Sequence, residues 1–146
     1  MNYLLDTNIV LLSVREAQFR QAINQKYFQN GNLPIISVVS MGELRSLALR
    51  NGWGEPKWKK LANILNTFLI ADIHSEDVIQ CYAEIDAFSQ GKFTKQKSSF
   101  SAKNMGKNDL WIAATASVLS ATLLTTDNDF SHLQDHFLQI ERVSYR

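Results

Sequence analysis

The sequence predicts an α/β fold, with helices on both faces of a mostly parallel central sheet of about five strands. Three observations lead there. Short apolar runs alternate with stretches of helical spacing along the 146 residues. The runs are short and rich in Ile, Leu and Val, as suits strands buried on both faces. No repeat, linker or shift in composition divides the chain, so residues 1–146 read as one domain.

Tyr3-Leu4-Leu5 is the first strand, and Ile9-Val10-Leu11-Leu12 begins a helix directly after it. Residues 16–29 set Ala17, Phe19, Ala22, Ile23 and Phe28 in a loose helical pattern. "GNLPIIS" supplies a turn and a second strand at Ile35-Ile36. From Ser37 the spacing of Val38, Met41, Leu44, Leu47 and Ala48 is helical, stopping near Asn51-Gly52. "EPKWKKLANILNTFL" carries Pro56 near a first helical position and Trp58, Leu61, Leu65 and Phe68 on one face. "IADI" is the third strand. Ser75 then caps a helix that buries Val78, Ile79, Tyr82, Ile85 and Phe88. Leu110 to Leu119 forms an alanine-rich helix, "TLLTT" the fourth strand and "LQIERV" the fifth.

Between Ser89 and Lys107 the pattern breaks. "SQGKFTKQKSSFSAKNMGK" holds five lysines, two glycines and no acid, which reads as a long exposed loop at 89–107. Loops of that length are unusual in compact domains and are often functional. The net charge of +1 makes no bulk demand for a nucleic-acid partner, so any such signal must be local. Cys81 is the lone cysteine and has no internal disulfide partner. No signal peptide is recognisable and no apolar run approaches the roughly 18 residues of a membrane span. The expectation is a cytoplasmic protein with no membrane association.

In open parallel sheets, ligands bind beyond the carboxyl ends of the strands, where strand order reverses. Asp6 follows strand one, and Asp127 and Asp129 follow strand four. Glu43 lies early in the helix after strand two, and Asp109 at the start of the helix feeding strand four. Carboxylates gathered at one edge repel one another unless a divalent cation sits between them. Oxygen ligands without clustered His or Cys favour Mg²⁺ or Mn²⁺ over zinc.

The stretches "LLDTNI", "SVVSMGEL", "GKNDLWIAATA" and "LLTTDNDF" resemble, in order, the four acidic motifs of PIN-domain ribonucleases. The nearest likeness is to toxin C of virulence-associated toxin–antitoxin pairs, and it runs from Asn2 to about Val143. The resemblance implies a three-layer Rossmann-like PIN fold and a metal-dependent ribonuclease leaving a 5′-phosphate and a 3′-hydroxyl. It assigns catalysis and metal binding to Asp6, Glu43, Asp109 and Asp127, with Asp129 as an auxiliary ligand and Mg²⁺ or Mn²⁺ as cofactor. Asn8, Thr125 and Thr126 match its supporting polar positions. Its partners are RNA, a second copy of the chain and an antitoxin whose Arg or Lys enters the acidic site. The lysine-rich loop departs from the small toxins of that group. Lys92, Lys95, Lys97, Lys103 and Lys107 are candidates for contact with the RNA backbone. Alternatives are a PIN domain in RNA processing outside such a pair, or a non-catalytic RNA-binding or scaffold module.

Each acid also has a plainer local explanation. Ser40-Met41-Gly42-Glu43 fits a capping box, in which Glu43 only closes a helix; a helix starting at Ser37 frees it. Asp109 suits the first turn of a helix dipole, Asp6 an Asx turn with Asn8, and Asp127-Asn128-Asp129 a simple turn. An aspartyl-phosphate phosphatase needs a second carboxylate where Asn8 stands. His132 and His136 are four apart, but Leu133 stands where an H-E-x-x-H zinc site needs its glutamate. Trp53, Trp58 and Trp111 are more simply packing residues, Trp53 and Trp58 with some claim to a partner surface.

Overall fold

The computed structural model describes residues 1–96 and 100–144. Its elements, in chain order, are β1 (Tyr3–Leu5), α1 (Thr7–Arg15), α2 (Ala17–Tyr27), β2 (Pro34–Ser37), α3 (Val38–Arg50) and α4 (Glu55–Leu65). There follow β3 (Leu69–Ala71), α5 (Glu76–Ser89), α6 (Lys107–Val118), β4 (Thr122–Thr125) and β5 (Gln139–Arg142). The strands form one sheet in the order β3-β2-β1-β4-β5, and every pairing is parallel. Strand order reverses at β1, which lies between β2 and β4.

Successive strand residues point to opposite faces, and the sequence supplies apolar residues for both. Leu4, Ile35 and Leu123 join a core with α5 and α6 that includes Val78, Ile85, Phe88, Ile112 and Phe130. Leu5, Ile36 and Leu124 join the opposite core, with Ile9, Val10, Phe19, Ile23, Leu44 and Leu61 from α1 to α4. This is why β1, β2 and β4 read as apolar runs, whereas the edge strand β3 leaves Leu69 and Ile70 exposed and the other edge, β5, is largely polar.

Two boundaries differ from the apolar pattern, each for a local reason. β3 ends at Ala71, before the expected Asp72 and Ile73, because Asp72 turns the chain. Its Oδ1 accepts from the Ile73 N–H at 2.7 Å and its other oxygen pairs with His74 at 3.1 Å. α6 begins at Lys107, three residues ahead of its first apolar position, because its first turn is polar. In α5, Ser75 accepts from the Val78 N–H as expected, whereas Ile79 is exposed to 45%.

Residues 90–106 carry neither helix nor strand where described. α5 closes with Gly91 at φ 73°, whose backbone an L side chain rarely adopts, and the Lys92 N–H returns to Ala87 O at 2.8 Å. Lys92, Lys95, Lys103 and Lys107 are exposed, but Phe93, Phe100 and Met105 pack against the α5–α6 core. The Lys103 N–H donates to Ser89 O at 2.7 Å, and Ser89 Oγ pairs with His132 Nε2 at 2.8 Å. Lys97 lies outside the described residues. No helix among the described residues is long and apolar enough to cross a membrane.

Leu124 is fully buried in the central strand pair. Leu124→Ala is expected to cost about 2–5 kcal/mol of stability, read from urea denaturation. A loss under about 1 kcal/mol would mean that the α1–α4 face is not packed as described.

Candidate active site

The parallel pairing of β1 with β4 delivers Asp6 and Asp127 to one edge. The Asp6 N–H continues the ladder by donating to Leu124 O at 2.9 Å, and the chain then turns into α1. Asp6 caps that helix, its Oδ1 accepting from the Thr7 N–H at 2.8 Å. Its Oδ2 accepts from the Thr125 hydroxyl, also at 2.8 Å. Thr125 Oγ1 in turn accepts from the Asp127 N–H at 3.1 Å, and Asn8 Nδ2 donates to Asp127 Oδ2 at 3.1 Å. One threonine and one asparagine thus tie the first acid to the last.

Glu43 arrives from α3. The cap of that helix is Ser37, whose side chain accepts from the Val39 N–H at 3.1 Å, so Ser40 lies inside the helix and the capping-box geometry does not form. Glu43 is therefore in the second turn, and its Oε1 accepts from the Thr7 hydroxyl at 2.6 Å. Asp109 sits in the first turn of α6, half-buried, and acts electrostatically on the same group of acids.

Charge crowding marks the edge. Burial, first of all, pushes the Asp6 carboxyl up to about 6; the Thr125 and Thr7 hydrogen bonds oppose this, and Asp127 and Glu43 add to it. Asp109 is raised to about 7, by burial and then by repulsion from Asp6, Glu43, Asp129 and Asp127. Among the described residues no lysine or arginine forms an ion pair with these acids. The donor set fits a hard divalent cation: all oxygen, acidic and short of positive charge. No three of the acids, among the described residues, already stand as a ready ligand cage.

The other candidates divide. Asp129 is exposed and, with Lys103, Asn104, Met105, Gly106 and Asp109, lines a cavity of about 220 Å³ beside the acids. Lys103 is thus the loop lysine that shares a cavity with Asp109. Thr126 contributes its carbonyl, which accepts from Arg142 Nε at 3.3 Å, while the hydroxyl that reaches the acids belongs to Thr125. Thr7, which holds Glu43, and Ser40, which meets the Thr7 hydroxyl, were not candidates from sequence. Their only signal was a position inside the "DTN" and "SMGE" stretches. His132 is half-buried against the loop, and His136 contacts Gln96 there. Trp53 and Trp58 are half-buried and stack edge-on with ring centres 6.4 Å apart.

Asp6 and Asp109 bind a proton more tightly folded than unfolded, since an unfolded aspartate titrates near 3.8. The folded state therefore holds extra protons from about 4 to about 7, and apoprotein stability falls as pH rises through that window. The Asp6 share is on the order of 3 kcal/mol. In urea titrations from pH 4 to 8, Asp109→Asn is expected to flatten the decline and to be the more stable protein at pH 8. An unchanged slope would refute the charge crowding.

The fold is shared with known proteins. A structure of VapBC2 from Rickettsia felis bound to a DNA fragment from the promoter matches with a TM-score of 0.79 at 24% identity, over 97% of this chain and 98% of that one. VapBC-1 from nontypeable Haemophilus influenzae matches with a TM-score of 0.73 at 23% identity, over 97% and 98%. FitAcB from Neisseria gonorrhoeae matches with a TM-score of 0.68 at 23% identity, over 94% and 95%. At these identities the likeness establishes a shared fold. No curated protein sequence matches. The PIN domain family model matches residues 3–135, spanning β1 to the turn after β4 and all four acids between them, and the chain belongs to the PIN domain family.

Proposed function

We propose that the protein is a metal-dependent endoribonuclease, using Mg²⁺ or Mn²⁺, and the toxin of a toxin–antitoxin pair. The observation that carries the reading is the convergence of Asp6, Glu43, Asp109 and Asp127 at the switch point, with Asp6 only 3% exposed and, among the described residues, no lysine or arginine paired with it. Structural neighbours that include a toxin–antitoxin complex and a member of the VapBC family of toxin–antitoxin systems support the biological setting. A cytoplasmic location, a homodimer and an antitoxin partner belong to the same proposal.

In this reading Asp6, Glu43, Asp109 and Asp127 hold the cation, with Asp129 as a flanking acid. Bound there, such an ion would supply Lewis acidity toward the scissile phosphate and make the hydrolytic water more acidic. Thr125 and Asn8 fix the Asp6 and Asp127 carboxylates before substrate arrives, which limits reorganisation at the moment of reaction. Lys103, on the cavity wall beside Asp109, holds a backbone phosphate against acids that would otherwise repel it. An antitoxin Arg or Lys placed among the acids would neutralise them and displace the metal.

Asp6→Asn keeps the shape and removes the charge. It is expected to lower Mn²⁺-dependent RNA cleavage by at least about 100-fold with unchanged circular dichroism. Full activity in the variant would overturn the assignment. In that inactive background, replacing Lys103 and Lys107 with Ser should flatten the dependence of log RNA affinity on log salt by about one unit per lost phosphate contact. Replacing Lys92 and Lys95 serves as the comparison. Equal slopes in all three proteins would take the loop out of the substrate path.

A further inference from the structure

Thr7 is the first residue of α1, and it reaches two acids with two different groups. Its backbone N–H donates to Asp6 Oδ1 at 2.8 Å, and its hydroxyl to Glu43 Oε1 at 2.6 Å. The same hydroxyl oxygen lies 2.8 Å from Ser40 Oγ, and Ser40 is fully buried. A hydroxyl has one proton to give, and an ionised carboxylate can only accept. The Thr7 proton therefore goes to Glu43, and Ser40 gives its own proton to the Thr7 oxygen. Ser40 and Glu43 are three apart on α3, so they present to Thr7 from one face of that helix. The donors run from Ser40 to Thr7 to Glu43, each orienting the next.

We propose that Thr7 is a positioning residue that sets the offset between Asp6 and Glu43, so that both carboxylates meet one divalent cation. The proposal rests on the metal-dependent reading above. It gives a role to a side chain that stands between the two motif residues Asp6 and Asn8. Glutamate is long and loses much rotamer freedom when fixed. Beside Glu43 lies an open groove of about 530 Å³ lined also by Gly42, Arg50 and Trp111, and nothing lies within 4 Å of where a Gly42 side chain would begin. Repulsion from Asp6 and attraction to Arg50 both favour a swing of Glu43 into that groove. The Thr7 hydroxyl holds it at the site.

The test compares two substitutions whose order depends on the mechanism. Thr7→Val keeps the shape and loses the hydroxyl, whereas Thr7→Ser keeps the hydroxyl and loses the methyl. Mn²⁺ affinity of the purified protein, measured by titration calorimetry without RNA, is expected to fall about tenfold or more in Thr7→Val and to stay near wild type in Thr7→Ser. Thr7→Val also strands the buried Ser40 hydroxyl, which can lower stability on its own. The double variant Thr7→Val, Ser40→Ala removes that group, and its melting temperature should recover while its Mn²⁺ affinity stays low. Wild-type affinity in Thr7→Val, or equal losses in Thr7→Val and Thr7→Ser, would overturn the role of Thr7 and leave the metal reading standing. Absence of Mn²⁺ binding by the wild type would overturn both.

Discussion

Asp6 is a carboxylate held almost out of water at the carboxyl end of the central strand, with no lysine or arginine paired to it among the described residues. Such a group is costly, and the surrounding structure is arranged around that cost. One oxygen is met by the Thr7 N–H and the other by the Thr125 hydroxyl. Both donors exist only because β1 turns directly into α1 while pairing with β4. The apolar cores on the two faces of the sheet keep those strands in register. What hydrogen bonds leave uncompensated is net negative charge, and that residue of unmet charge is the chemical content of the site.

Much of this was legible in the sequence, and the exceptions share a cause. The strands were visible because Leu4-Leu5, Ile35-Ile36 and Leu123-Leu124 each feed both cores. The acids were visible because each stands at a strand end or a helix start. Which serine caps α3 was not decidable from spacing, since Ser37 and Ser40 both precede helical patterns. Only the fold shows Glu43 accepting from a hydroxyl 36 positions away. Pairings between distant elements leave no local trace. Thr7 and Ser40 were therefore invisible as parts of the site, although both lay inside stretches that drew notice.

The lysine-rich segment was half legible for a related reason. Its charge described the solvent side well, but Phe93, Phe100 and Met105 have no period that would announce them as anchors. They seat the segment on α5 and on the turn at Ser131–Leu133. There His132 packs its ring 5.1 Å from that of Phe100 and pairs with the buried Ser89. Burial, and then the charge of Lys103, hold His132 below its ordinary titration range. A neutral imidazole under the loop brings no added positive charge to a segment already rich in lysine, and this lets the chain lie close there.

The central place of β1 has a consequence for how the molecule is made. The Thr125 hydroxyl reaches back across 119 positions to Asp6, and Asn8 spans the same separation to Asp127. Contacts so distant along the chain form late, because the loop must close before they can hold. A growing polypeptide that has reached α5 already carries Asp6 and Glu43, yet has no β4 to pair with β1 and no Thr125 to satisfy the buried carboxylate. The acidic edge is thus assembled only after β4 and Thr125 have left the ribosome, and translation itself withholds it until then.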